Sequence, residues 1–268
     1  MQQVDHVPNL IIGASMLGLG LASAKGAEAV VLESGNSVGS EFIRSFKMNR
    51  PWISAEKSST SREIREELML RNIMSEEGSL HLPGLMPVMI KHIKEHRLQV
   101  RMQSSIVDVS RQEGKFKVLY YDASGLRSIT TDTLVDTSIP CSTKPECLRV
   151  KAKSLNVMIK GKTKDLDAAE IEGYETRRGR FDSEIFLRFP LDPHEDWISA
   201  RNRLFQFWLN RPLSLQPYAF VTHAEEFDIE YEDSCQQIAP GWEWLPSAYY
   251  ASPLEAFDQG FHYGKGGF

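Results

Sequence analysis

Cysteine is scarce in this chain, three among 268 residues, and a sparse, odd set does not build a disulfide framework. The expected compartment is therefore reducing and cytoplasmic. Basic clusters are missing too. The formal net charge is -5, and no Lys/Arg stripe occurs of the length that a nucleic-acid or anionic-membrane partner would require. No apolar run approaches the roughly 18 residues of a membrane-spanning helix. The start MQQVDHV has neither the basic region nor the apolar stretch of a secretory signal. No histidine cluster stands at metal-ligand spacing, so no metal site is expected. Cys141 and Cys147, with a proline among the residues between them, are too far apart for the tight turn of a redox pair.

What the chain does have is concentrated between Val7 and Glu33, VPNLIIGASMLGLGLASAKGAEAVVLE. An apolar run, Leu10 to Ile12, stops at Gly13 and gives way to small residues at Ser15, Gly18 and Ala22; a second run, Ala29 to Leu32, ends on an acid, Glu33. This is the order of a βαβ dinucleotide-binding unit: strand, glycine turn, helix, strand, and an acid about 20 positions after the first glycine. Each position has a mechanical reason. Gly13 permits the tight strand-to-helix turn. Gly18 and Ala22, four apart, let the helix lie close to the strands. The helix start at Ser15 and Met16 would offer unpaired N–H groups and a positive dipole end to a pyrophosphate. Glu33 could accept from both ribose hydroxyls and would repel a 2′-phosphate. Ser15 departs from the pattern, where a second glycine is usual, and offers a hydroxyl donor instead.

Downstream, the periodicity gives a helix over the Ser/Glu/Arg-rich stretch from about Thr60, a break at His81-Leu82-Pro83-Gly84, a helix from Pro87 to His96, and a short strand from Leu98 to Met102. Alternating apolar residues separated by Gly114 and Gly125 then predict strands at Ser105–Val109, Phe116–Tyr121, Arg127–Thr131 and Leu134–Ser138, a β-meander. Further strands are expected around Val150–Ala152 and Val157–Ile159, a charged turn at Lys160–Lys164, and a strand at Glu184–Phe189. A helix from His194 to Asn210 and a hairpin of Tyr218–Thr222 with Phe227–Tyr231 follow. Ser252-Pro253-Leu254-Glu255 has the arrangement of a capping box with proline at the first helical position.

The glycine turn, the acid Glu33, the following ESGNSVGS segment and the meander ending in Asp136-Thr137-Ser138 together resemble the FAD-dependent oxidoreductases of the glutathione-reductase-like flavoprotein superfamily. The resemblance implies an α/β fold: a Rossmann-like FAD-binding domain with a β-meander and an inserted α+β substrate or cap domain. The boundaries it suggests are 1–148 for the first part of the FAD domain, 149–235 for the cap, and 236–268 for the return segment and tail. It places Gly13, Ser15, Met16, Gly18 and Glu33 on the FAD pyrophosphate and ribose, and Ser34 and Arg44 on the way to the flavin. Ile106, with Val107 as its neighbouring alternative, would touch adenine, Thr137 and Ser138 would lie beside the pyrophosphate, and Pro253 and Leu254 would face the flavin's pyrimidine end.

No second glycine-rich βαβ unit and no Asp-Gly or terminal Gly-Asp pair is found, which counts against a built-in NAD(P)H domain and against single-component aromatic hydroxylases. The expected function is hydride abstraction from a small organic substrate, amine or amino acid favoured, with electrons passed to oxygen or to a protein partner. The alternatives are an FAD-binding subunit or degenerate domain serving a partner, and a plain NAD-binding Rossmann oxidoreductase. His223, His262 and Tyr249 or Tyr250 are the candidates for a catalytic base, histidine because its pKa lies near neutrality.

Overall fold

In the computed structural model the described residues are 5–47, 58–161 and 174–266. Two sheets organise them. The first has the order β12-β13-β6-β1-β2-β3. Its centre is β1 (Asp5–Ile12), paired in parallel with β2 (Ala29–Leu32) on one side and β6 (Gly125–Asp136) on the other. The strands β3 (Gln99–Arg101) and β13 (Trp242–Trp244) extend it in parallel, and β12 (Gln236–Ala239) closes one edge antiparallel. Leu10, Ile11, Ile12 and the whole of Ala29–Leu32 are buried, as expected of parallel strands covered on both faces.

The covers differ. On one face lie α1 (Met16–Lys25), α4 (Leu82–Glu95) and α6 (Pro253–Gly264), whose apolar residues share a core with Ile11 and Val31. On the other, the meander of β4 (Ser105–Gln112), β5 (Lys115–Asp122) and β6 packs Phe116, Val118 and Tyr120 against Leu10, Ile12, Val30 and Leu32. The return of the chain after Asp136 and the βαβ unit thus meet at the carboxyl ends of β1, β2 and β6, where ligands of open α/β sheets bind.

The described residues between 150 and 231 build the second sheet, of order β10-β7-β9-β8, with β11 also on β7. Its members are β7 (Val150–Lys160), β8 (Thr176–Arg178), β9 (Ile185–Leu191), β10 (Ala219–His223) and β11 (Asp228–Tyr231). One face is covered by α5 (Trp197–Leu209), which buries Ala200 and Leu204 against Leu155, Val157 and Leu187. The short helix α2 (Ser40–Ile43) and α3 (Ser59–Leu70) complete the described elements longer than one 3-10 turn.

Four sequence expectations change. The meander's last strand and the returning strand are one, β6, because β1 pairs with it in one register from Asp5↔Ile129 to Ile12↔Asp136 while its other edge serves β5 and then β13. The helix expected from Pro87 begins at Leu82: Pro83 sits in the first turn, where its missing N–H leaves no bond unmade, and Pro87 is accommodated inside. The expected hairpin of β10 and β11 does not form. Both strands pair antiparallel with β7, end to end, because the amides of Glu225 and Glu226 bond the Arg44 carbonyl and draw the connection away from a turn. Ser252 caps α6 with its carbonyl, which accepts from Ala256 N, and not with its hydroxyl, so the capping box is absent. Cys141, as expected, forms no disulfide and is buried against Tyr231 and Trp244. Most of the charged turn at Lys160–Lys164 lies outside the described residues.

Candidate functional site

A cavity of about 440 Å³ opens where the carboxyl ends of β1, β2 and β6 meet the second sheet, within the size range of small-molecule sites. One end is lined by Glu33, Ser34, Gly35, Ser104 and Ile106, the middle by Gly13, Ser15, Thr137 and Ser138, and the far end by Arg44, Trp197, Glu226 and Phe227.

At the first end, Glu33 is fixed by its own loop. Its Oε2 accepts from Ala14 N at 2.7 Å and its Oε1 from Gly35 N at 2.7 Å. Each oxygen keeps lone-pair capacity for a further donor, and the carboxylate stands at the cavity wall. Ile106 lines the same end, whereas Val107 is 57% exposed at a bulge in β4. Between the two candidates for an apolar wall, the fold selects Ile106.

The middle is tightly built. Gly13 has φ +97, and a Cβ there would lie 3.0 Å from Thr137 Oγ1. A Cβ on Gly18 would lie 2.7 Å from the same oxygen. Both glycines are therefore required for strand, helix and Thr137 turn to meet. Thr137 Oγ1 donates toward the Ile12 and Gly13 carbonyls and accepts from Ser15 Oγ at 2.7 Å. Ser15 Oγ in turn accepts from Gly18 N at 3.0 Å as the N-cap of α1. This corrects the expectation for Ser15: its proton is committed to Thr137, so the residue caps the helix and does not present a free donor. Beside it, the buried Asp136 carboxyl accepts from the N–H and hydroxyl groups of both Ser138 and Thr143, which shapes the 138–143 turn. Burial holds its pKa above the usual carboxylate range, with these hydrogen bonds opposing.

Sequence reasoning missed Glu41. Its side chain, on α2, reaches the first turn of α1, where Oε1 accepts from Met16 N at 2.7 Å and from Ser247 Oγ at 2.7 Å. Its Oε2 is buried without a hydrogen-bond partner, and Glu41 is one of the residues that line the cavity. Burial, opposed by these hydrogen bonds, pushes its pKa up to about 7. Leu17 N bonds Ser247 Oγ at 3.2 Å. No local signal marks either residue: Glu41 reads as a surface acid in a loop, and Ser247 arrives from 206 positions away.

At the far end Arg44 pairs with Glu225 at 2.9 Å and Glu226 at 3.1 Å, both on the connection between β10 and β11. Phe227, just before β11, and Ile229 on it line this cavity, and Asp228 and Glu230 line a second one of about 380 Å³. The second cavity is lined by Lys47, Lys151 and Arg188 from the cations and by Tyr231, Tyr249 and Tyr250. Burial pushes the Tyr250 hydroxyl up to about 12.

The structure therefore gathers Gly13, Ser15, Glu33, Ser34, Arg44, Ile106, Thr137 and Ser138 around one cavity, with Met16 and Gly18 in the helix turn behind its wall. It does not bring Pro253 and Leu254 there. Both are buried at the start of α6, and only their neighbours Ala251 and Glu255 reach the second cavity. Of the catalytic candidates, Tyr249 and Tyr250 line the second cavity. His223 packs against Trp197 and Phe205, His262 lies 3.9 Å from Asp258 within α6, and neither lines these two cavities.

No protein-family model and no curated protein matches the sequence. Solved structures do match. The p-nitrophenol 4-monooxygenase of Pseudomonas putida DLL-E4 superposes with TM-score 0.61 at 12% identity, over 98% of this chain and 78% of that one. The L-α-glycerophosphate oxidase of Mycoplasma pneumoniae, solved with FAD bound, gives TM-score 0.62 at 11% identity over 98% and 94%. This chain has the fold of the FAD-dependent flavoenzymes. A flavoprotein/dehydrogenase of Cytophaga hutchinsonii adds TM-score 0.57 at 14% identity, over 97% of this chain and 77% of that one. Monooxygenase, oxidase and dehydrogenase thus share the flavoenzyme fold, so the fold alone does not choose the reaction. Nor does the lack of Asp-Gly and Gly-Asp pairs set this fold apart from that of a hydroxylase. Among the described residues no helix is long and apolar enough to cross a membrane.

Proposed function

We propose that this chain binds FAD along the first cavity and is an oxidoreductase that takes a hydride from a small organic substrate, an amine or amino acid by preference, held in the second cavity. The observation that carries the reading is the placement of Glu33. Its carboxylate is oriented by two backbone amides at the cavity wall, with Ile106 lining the same end and Ala14 N, beside the Gly13 bend, as one of the two donors. That arrangement suits a ribose with its two hydroxyls, an adenine on Ile106, and a diphosphate at the start of α1, with Ser138 and the 138–143 turn beside it. The glycines support the fit, since the bend they allow is closed to any side chain.

Bound flavin would supply the hydride and electron chemistry; the chain supplies orientation and charge. Arg44, tied to Glu225 and Glu226, holds the far end of the cavity against the second sheet. Lys151 in the second cavity suits a substrate carboxylate, Arg188 there being already paired with Glu230 and Glu175, and Tyr249 and Tyr250 are its hydroxyl donors. Electrons would leave to oxygen or to a protein partner.

A second reading, an FAD-binding or vestigial subunit without turnover, draws support from one observation: side chains of the chain itself already occupy the amides of Met16, Leu17 and Gly18. An absorption spectrum separates the readings. Protein incubated with FAD and desalted should keep an oxidised-flavin spectrum, and anaerobic addition of an amine or amino acid should bleach it. Retained colour with no bleaching by any tested amine, amino acid or hydroxy acid favours the subunit, and a colourless protein removes both. Glu33→Ala should weaken FAD binding by about 1.5–3 kcal/mol, roughly ten- to a hundredfold in Kd, the worth of hydrogen bonds to a charged acceptor. Unchanged affinity by fluorescence titration would contradict the ribose assignment.

A further inference from the structure

The start of α1 is where a dinucleotide diphosphate would bring its negative charge, and a carboxyl group already stands there. Glu41 Oε1 accepts from Met16 N and Ser247 Oγ, while Oε2, equally buried, has no partner, and Glu41 is among the residues that line the cavity. An ionised carboxylate in this position satisfies the helix dipole by itself and repels a second anion. A neutral carboxylic acid does the reverse. With Oε1 already accepting two hydrogen bonds, the proton belongs on Oε2, which then becomes a buried donor without a partner, on a residue of the cavity wall.

Resting on the FAD reading above, we propose that Glu41 determines which ligand charge the site accepts, admitting the FAD diphosphate as the neutral acid that donates from Oε2 and excluding it as the carboxylate. The surroundings favour such a two-state group. Glu33, at the end of β2, adds like charge, and the side chain is 2% exposed. Arg44, the cation on the same segment, is engaged by Glu225 and Glu226 across the cavity. α1 and the Ser247 turn meet Glu41 only through an amide and a hydroxyl, and α4, behind α2, meets Gly39 with apolar Leu85. Burial places the change of protonation near pH 7, a carboxylic acid kept neutral so that it can donate, as other buried sites achieve. Local spacing reveals none of this, because Glu41 meets α1 only in the folded chain.

The sign follows from linkage. If only the protonated form admits FAD, the apparent Kd is the intrinsic value divided by the protonated fraction. Affinity is then flat below pH 6 and falls about tenfold per unit above 7, about a hundredfold weaker at pH 9 than at pH 6. Binding at pH 8 should take up about one proton, and at pH 6 nearly none.

Two measurements test this: FAD fluorescence titrations from pH 6 to 9 on the wild type and Glu41→Gln, and calorimetry of wild type in buffers of different ionisation enthalpy. Glutamine keeps the acceptor toward Met16 N and puts a permanent N–H donor in the place of Oε2, so its affinity should be high and independent of pH. Equal pH dependence in both proteins, or wild-type binding at pH 8 without proton uptake, would overturn the role of Glu41 and leave the FAD reading intact. FAD binding by neither protein at any pH, with native circular dichroism, would overturn the FAD reading itself. The calorimetric arm needs no variant, so the proposal stays exposed even if Glu41→Gln folds poorly.

Discussion

Gly260→Ala is expected to cost about 3 kcal/mol of unfolding free energy, at the upper end of what overpacking costs, and Gly20→Ala as much. The reason is the crossing of α1 and α6. A Cβ on Gly260 would fall inside van der Waals contact of the Leu17 carbonyl and of Leu21 N, and one on Gly20 inside that of the Phe257 carbonyl. These neighbours are backbone atoms of buried helices, so no side-chain rotation relieves the overlap, and one helix must move. Gly114, in the turn between β4 and β5, is the control. A Cβ there meets nothing within 4 Å, and only its φ of +81 is unfavourable, so Gly114→Ala should cost about 1 kcal/mol. Urea unfolding of the three variants checks the ordering; equal losses at Gly114 and Gly260 would mean that the helices can separate freely. Against a total stability of about 5–15 kcal/mol, the Gly20→Ala/Gly260→Ala double variant should be largely unfolded at 37 °C. A milder variant that folds should bind FAD more weakly, because α1 carries the turn from Ser15 to Gly18 that forms the cavity wall.

Both glycines lie in stretches whose meaning the sequence discloses unevenly. The βαβ unit with Glu33 is legible because its signals are local: an apolar run, a glycine bend and an acid at fixed distance all follow from one strand–helix–strand geometry. The meander is legible for the same reason, since alternation and glycine turns act over a few residues. Gly20 and Gly260 read as ordinary helix glycines, and only the packing of two distant helices explains them. Glu41 and Ser247 escape notice because their partners are brought together by the closure of the sheet at β13. The continuity of β6 is hidden by Asp132 and Thr133, polar residues that break the apolar alternation although β1 keeps one register on both sides of Asp132. The missing hairpin fails for a tertiary reason as well, the capture of Glu225 and Glu226 by Arg44. Local rules thus reach the nucleotide-binding unit, and the chemistry at the helix start depends on contacts those rules cannot see.

The tie between the two sheets carries the second large effect. Asp228→Ala should destabilise the protein by about 3–5 kcal/mol, the cost of leaving one charge of a buried pair without its partner. Lys47 Nζ lies 2.8 Å from Asp228 Oδ1, and the two side chains are only 8% and 5% exposed. Asn156 Nδ2 donates to Asp228 Oδ2 and also to the carbonyls of Ser45 and Phe46, each at 3.1 Å. The segment after α2 is thereby held to β7 and β11 by one polar network. Removing the aspartate strands the ammonium in a site that water reaches poorly. Lys47→Met/Asp228→Leu, which removes both charges and keeps the volume, should recover most of the loss, since a buried pair is often no better than well-packed apolar groups. Chemical unfolding of Lys47→Met, Asp228→Leu and the double variant closes the cycle, and additive losses would show that the pair is not coupled. The same network sets the position of β11, where Ile229, with Phe227 just before the strand, lines the first cavity and Asp228 and Glu230 line the second. The double variant should therefore fold stably yet bind FAD no more tightly than wild type, because apolar packing restores stability without the directional bonds that fix the strand between the two cavities.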